Sequence, residues 1–586
     1  MKRLYIIFLL LFIVGCGRPD PQDTELSDGQ TRPTIPAEWL TKPPTPVIIS
    51  TALAIPQSSV PNPADTPTLR PGSQEPTATA EQDLSTLLSP SPTSEPFIAP
   101  TAVLNKQLTI SAAPGVPAQL RDSARHLTET LPNDFQWLEP DQESADITFQ
   151  LGNDNPIALW TYVVAAPFAT IKDEISLEEV LALWSGDSTE DETLVVAQDT
   201  AVALSNIWGP PAAEVTQVSA ENLRDTLWDK RPSLTIIPFE ELAPDLKALR
   251  LDGHSLLDPT SALEDYPLVF SVGVSGEEQA IADFLPFWQL PTSNRDPARM
   301  TRVAMTGVTA LVRATASQME TDGILTAGVD VAPILRAADI THISNEVSFA
   351  EDCPEPNPVG GTVFCSKDEY FALLEDLGTD VVELTGNHVN DWGPEAVHHT
   401  LEMYEEANIQ FFGGGRDLEE SAKPAIFQHN RNRIAFVGCN PVGPNYAWAG
   451  ASSPGSQPCG PEFLEQIESL SAQGVTVIAT QQYYEFYHYP PTSQQQEDFK
   501  ELVDAGAAAV SGSQGHHAQG FEFYDGAFIH FGLGNLFFDQ MDMTGTRQSF
   551  VDIYTIYDGR LINVELWTGL IEDFFQPRLM TAAERE

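Results

Sequence analysis

Positive charge is what this sequence has least of: 30 Lys and Arg stand against 83 Asp and Glu, a formal charge of −53 over 586 residues. A chain so anionic repels phosphate backbones, which excludes nucleic acid as a partner, and it offers no polybasic stripe for anionic lipid. Cysteine is sparse as well, five residues in all with no CxxC, so a Cys-ligated zinc site is the weaker reading of them. Long apolar runs are missing after residue 14, and no later segment is expected to span a bilayer.

What is present begins with "MKRLYIIFLLLFIVGC", in which Lys2 and Arg3 precede an apolar run from Leu4 to Val14, then Gly15 and Cys16. The run is too short for a spanning helix and has the form of a signal peptide. "IVGC" resembles a bacterial lipobox, which implies cleavage before Cys16 and lipidation of its thiol. Two or more acyl chains anchor stably where one does not. The expectation is a signal peptide over 1–15 and a protein tied to the membrane through Cys16, on the extracytoplasmic face of the bacterial cell membrane. Cys353, Cys365, Cys439 and Cys459 remain. Their order suggests the local bridges Cys353–Cys365 and Cys439–Cys459, among three possible pairings, and an oxidising exterior favours bridges.

Residues 16–106 are rich in Pro, Thr and Ser, as in "PNPADTPTLRPGSQEPTATA", and lack apolar periodicity. The composition reads as an extended tether. From Leu108 strands alternate with helices, so the class is α/β. "YVVAAPFATIKDEISLEEVLALWSG" and "LTIIPFEELAPDLKALRLDG" resemble segments of phosphate-type periplasmic solute-binding proteins, and a domain of that kind is expected over 107–293. The glycine- and serine-rich helix start that would grip phosphate is not evident: "SAAPGVPAQLRD" offers only Ser111 and Gly115, so a degenerate module is expected rather than a working transporter subunit.

A polar stretch near residue 294 marks the next boundary. Beyond it, short buried strands such as "DVVEL" and "VTVIAT" deliver polar residues at their C-terminal ends, the usual way such folds assemble a site. Seven stretches occur in order: "GVTALVR" from Gly307, "SNE" from Ser344, "GNHVNDWG" from Gly386, "GGGRDLEESAKP" from Gly413, "QQYYE" from Gln481, "GSQGHH" from Gly512 and "GLGNLFFD" from Gly532. Together they resemble the CapA-type family of poly-γ-glutamate capsule-biosynthesis proteins, whose domain is similar to calcineurin-like metallophosphoesterases. The resemblance implies a layered α/β sandwich over 294–586.

It also implies roles. Glu346, Asn387, His388, Asp391, Glu485 and His516 match the family's positions. Val308 stands where the family has a metal-binding Asp, and Gln481 and Gln514 replace His. A valine donates nothing to a metal, and an amide oxygen is a weaker ligand than imidazole. What remains gives Glu346, Asn387, His388 and His516 as ligands of one divalent metal ion, or no metal. His388, Asp391, Glu485 and His516 are the catalytic candidates, with His388 or His516 as proton carrier and Glu485 orienting its neighbours. Gln481, Gln514, His517, Asn535 and Arg313 are the substrate-pocket candidates, the two glutamines reaching a substrate amide or sugar. The partners implied are the membrane, an envelope polymer or glycan and other capsule or export components. The leading expectation is handling, hydrolysis or transfer of that polymer; the alternative is a non-catalytic surface binding protein. The charge of −53 argues against an anionic substrate.

Overall fold

The computed structural model describes residues 106–586, apart from 140–143, 169, 190, 262 and 289–291. The expected signal peptide, Cys16 and nearly all of the expected tether lie outside the described residues. The described residues belong to one compact unit. No helix among the described residues is long and apolar enough to cross a membrane.

Strands form where β-branched and aromatic residues cluster. The twelve-residue strand Pro156–Pro167 is buried along almost its whole length and serves as the spine of the first sheet. That sheet runs Phe135–Trp137, Leu108–Ala112, Ile147–Leu151, Val269–Gly276, Pro156–Pro167, Ser233–Pro238, Thr193–Ala197 and Thr216–Val218, with Leu246–Ala248 also pairing the spine. Helices between the strands carry their own signals. Leu177–Ser185 starts in a capping box made by Ser176 and Glu179 and stops at Gly186, which takes φ 77°. That left-handed turn costs a glycine little.

Two further sheets build the C-terminal half. One is nine-stranded, with Gln410–Phe412, Val381–Glu383, Ile340–Asn345 and Met300–Thr306 parallel, then the antiparallel ribbon Gln548–Tyr557, Arg560–Glu572 and Gln576–Leu579. The other is six-stranded: Ala425–His429, Asn432–Cys439, Thr476–Gln481, Ala507–Ser511, Ala527–His530 and Phe521–Tyr524. Their facing surfaces share one apolar core in which Val303, Met305, Ile340 and Val381 meet Phe436, Ile478, Ala509 and Phe528. The outer face of the first is covered by helices through Leu373, Leu401 and Tyr404, and that of the second through Ile467, Phe499 and Leu502. The order helix–sheet–sheet–helix is a four-layer α/β sandwich. The parallel strands end on one side, where their connecting loops converge.

The first sheet is packed onto this sandwich rather than strung beside it. Phe168, just past the spine, lies edge-on to Phe521 at 4.8 Å and Phe523 at 5.1 Å. Tyr557 stacks edge-on with Phe239, and the Asn563 amide donates to the Leu246 carbonyl.

Candidate functional site

Backbone geometry assembles the site first. The short strand Val308–Thr309 lies between Ile340–Asn345 and Asn535–Phe537, with Val308 level with Ser344 and Asn535. This brings three sequence-distant motifs to one floor. A side chain at Gly386 would fall 2.8 Å from Glu346 Cγ, and one at Gly307 would fall 1.9 Å from the Gly534 carbonyl oxygen. Only glycine lets the Asn387–His388 loop and the Val308 strand approach so closely.

His516 and Glu346 meet at the centre, both buried. His516 Nδ1 is 2.7 Å from Asn535 Oδ1, and the Asn535 amide nitrogen donates to the Thr546 carbonyl. The amide oxygen therefore accepts the proton on Nδ1, which turns Nε2 towards the site. That nitrogen faces two carboxylates, Glu346 Oε2 at 3.9 Å and Glu485 Oε1 at 3.8 Å. His516 stacks on Phe538, with ring centroids 5.0 Å apart.

His388 forms the second centre. Its Nδ1 is 2.6 Å from Asp391 Oδ2. Asp391 also accepts from the Phe364 amide and the Tyr446 hydroxyl. Burial works against protonation of His388, but the Asp391 bond and the charges of Glu346, Asp391 and Glu485 outweigh it and hold the imidazole above its ordinary pKa.

The expected pocket residues divide. Gln514 Nε2 donates to Ser344 Oγ at 2.6 Å, and Gln481 Nε2 lies 3.6 Å from the Cys459 sulfur. The Oε1 atoms of both are buried without a partner, as are Asn387 Oδ1 and both carboxylate oxygens of Glu346. Asn535 acts through His516. Arg313 and His517 are placed elsewhere. Arg313 is ion-paired with Asp539 and lies over the rings of Phe364 and Phe538, behind the two histidines those rings support. His517 donates through Nδ1 to the Ala518 carbonyl and packs edge-on against Tyr489.

Both cysteine pairs are bridged, Cys353–Cys365 and Cys439–Cys459. The first ends beside Phe364, whose ring centroid is 4.5 Å from that of His388. Phe364, Phe538, Tyr446 and Asp539 were not among the expected site residues. Phe538 and Asp539 lie inside the "GLGNLFFD" stretch and were findable there; Phe364 and Tyr446 carry no sequence signal. Below the site Glu383 is fully buried. Burial pushes its pKa up, yet bonds from His342, Ser513 and Thr385 hold it below the usual carboxylate value. Through Ser513 this network fixes the loop carrying Gln514 and His516.

The donor set fits a two-metal centre poorly. Val308 is buried and apolar, and no group of three or more His, Cys, Asp or Glu among the described residues is placed to hold a metal ion. Two donors on one tetrahedral ion at about 2.1 Å stand about 3.4 Å apart, closer than His516 Nε2 is to either glutamate.

Comparison with known proteins places this arrangement. Residues 302–540 match the family described as "Bacterial capsule synthesis protein PGA_cap", a metallophosphoesterase-like domain. The PGA biosynthesis protein CapA of Bacillus subtilis is 27% identical over 223 residues, covering 37% of this chain and 58% of that protein. The capsule biosynthesis protein CapA of Bacillus anthracis is 29% identical over 199 residues, covering 33% and 48%. The chain thus spans about half the length of the curated relatives it matches. Among solved structures, a putative phosphate ABC transporter substrate-binding protein from Clostridium perfringens is 12% identical, covering 31% of this chain and 92% of that one, with a TM-score of 0.25. The NAD nucleotidase of Haemophilus influenzae is 9% identical, covering 49% and 55%, with a TM-score of 0.29. At such scores nothing about ligand or activity passes to this chain.

Proposed function

We propose, from a C-terminal part that belongs to the bacterial capsule-synthesis family, that this protein handles an envelope polymer by binding it in the pocket around Glu346 and His516. Lipidation at Cys16 would hold it outside the cytoplasmic membrane, where such polymers are assembled and exported. One observation carries the reading: Glu346, Asn387, Gln481 and Gln514 together present five buried oxygens without a hydrogen-bond donor. Unpartnered buried acceptors are costly, and a bound ligand that brings N–H or O–H groups relieves that cost. Positions 308, 481 and 514, which the resemblance matches to metal ligands of the family, carry Val, Gln and Gln; valine binds no ion, and the two amides are better hydrogen-bonding groups than metal ligands.

The test is sedimentation of the full chain with insoluble envelope polymer, beside metal content by mass spectrometry. The expected result is retention of the native chain, loss of retention in His516→Ala, and no near-stoichiometric metal. Stoichiometric metal that disappears in a His388→Ala, His516→Ala variant, with metal-dependent cleavage of the polymer, overturns the reading.

A second reading, hydrolysis or transfer on the same polymer, is favoured by the His388–Asp391 pair, which holds a proton beside the pocket. Release of soluble fragments by the native chain but not by His388→Gln would establish it.

A further inference from the structure

We infer that the unit recognised in this pocket is an amino sugar, a ring carrying a free primary ammonium and hydroxyl groups. This rests on the binding reading above and names its ligand. The argument starts from an imbalance of hydrogen-bonding groups. The unpartnered buried atoms contributed by Glu346, Asn387, Gln481 and Gln514 are all acceptors. The complementary ligand is one dense in donors.

Charge narrows the class. Glu346 is wholly buried with both carboxylate oxygens free of donors, Glu485 stands 3.8 Å from His516, and Asp391 is close by through His388. The guanidinium in this region, Arg313, is committed to Asp539. A neutral donor satisfies geometry but leaves three carboxylates, Glu346, Glu485 and Asp391, around two imidazoles, so the pocket keeps an excess of negative charge. An ammonium supplies three donors and the charge together. A carboxylate-bearing unit would add a further negative charge to the three carboxylates already here.

The rim narrows it again. Tyr484 and Tyr487 are exposed on the segment that carries Glu485, and Tyr446 is exposed where it reaches Asp391. The Tyr487 hydroxyl donates to Glu485 Oε2 at 2.7 Å. Flat aromatic faces beside carboxylates suit the apolar face of a sugar ring and attract an adjacent cation. The amide oxygens of Gln481, Gln514 and Asn387 then accept from the ring hydroxyls. Acetylation of the amine removes the charge and two of its three donors while leaving the ring unchanged, so it isolates the feature the inference depends on.

Calorimetric titration of the full chain with a glucosamine oligomer and its fully N-acetylated counterpart, below the pKa of the amine, is the test. The free-amine oligomer is expected to bind at least about tenfold more tightly. Glu485→Gln, at a side chain 39% exposed and so safe for folding, is expected to narrow that preference, and Glu346→Gln to abolish it. Equal affinity for the two oligomers, no binding of either, or preference for poly-γ-glutamate overturns the assignment. If envelope polymer still sediments with the protein in that case, the ammonium assignment alone has failed. If the chain instead carries stoichiometric metal and cleaves polymer, the binding reading has failed with it.

Discussion

At the scale of single residues, His388 makes the clearest prediction. Its pKa is raised in the folded protein, so folding favours the charged form. The stability this contributes is present in full below the ordinary imidazole pKa of about 6.5 and is lost as pH rises through the folded value. Replacing Asp391 with Asn removes the nearest anion, and the His388 midpoint followed by NMR is expected to fall towards the ordinary value. An unchanged midpoint would mean that Glu346 and Glu485 alone hold the proton. Val308 supplies the converse case. Val308→Asp places a carboxylate in a fully buried position without a cation, and a loss of roughly 2–4 kcal/mol in chemical denaturation is expected. In the triple variant Val308→Asp, Gln481→His, Gln514→His, added Mn2+ is expected to restore stability. Restoration in the native chain as well would show that the glutamines do not prevent ion binding. The motif residues were legible because chemistry confines them to certain types. The directions of Arg313 and His517 were not, since direction depends on Asp539, Phe538 and Tyr489, which the contacts of those two residues alone reveal.

At the scale of elements, strand ends were readable and supporting loops were not. "VVEL" before "TGNHVND" reads as a buried strand by its β-branched run, and Val381–Glu383 pairs on both sides. "PAQLRDSARHLTETL" reads as a helix by spacing, and Ala118–Thr130 is one, burying Leu120, Ala124 and Leu127. Nothing in "CPEPNPVGGTVFC" announces that its last Phe supports a histidine. That contact needs the loop folded back by the Cys353–Cys365 bridge, twelve residues apart. Loss of the bridge in Cys353→Ser, Cys365→Ser is expected to cost about 3 kcal/mol through the freedom returned to the unfolded chain. It should also shift the His388 titration, because Phe364 contributes both the ring and the amide that hold the His388–Asp391 pair. A stability loss with no shift in titration would make the bridge a staple only.

At the scale of the molecule, a sequence that reads as separate strand–helix regions has to be set against a shared interior. The composition shift near residue 294 records where polar residues gather, and it says nothing about which surfaces bury one another. The contact is made by scattered residues: Phe168 is buried among Phe521, Phe523 and Phe528, Arg585 pairs with Asp173, and Tyr557 belongs to the core of the first sheet. Long-range packing of this kind has no local periodicity and therefore no signature in a single sequence. Its consequence is cooperative unfolding, because neither part can lose its structure without exposing the other's aromatic surface. The native chain is expected to melt in one calorimetric transition. Phe168→Ala deletes the central ring, and about 3–5 kcal/mol is lost from the contact. Because that loss falls on the junction rather than within either core, the expected thermogram separates into two transitions, with the first sheet melting earlier. A single transition merely shifted to lower temperature would show that Arg585, Asn563 and Tyr557 suffice to couple the halves. Two transitions already present in the native chain would show that the junction carries too little energy to join them.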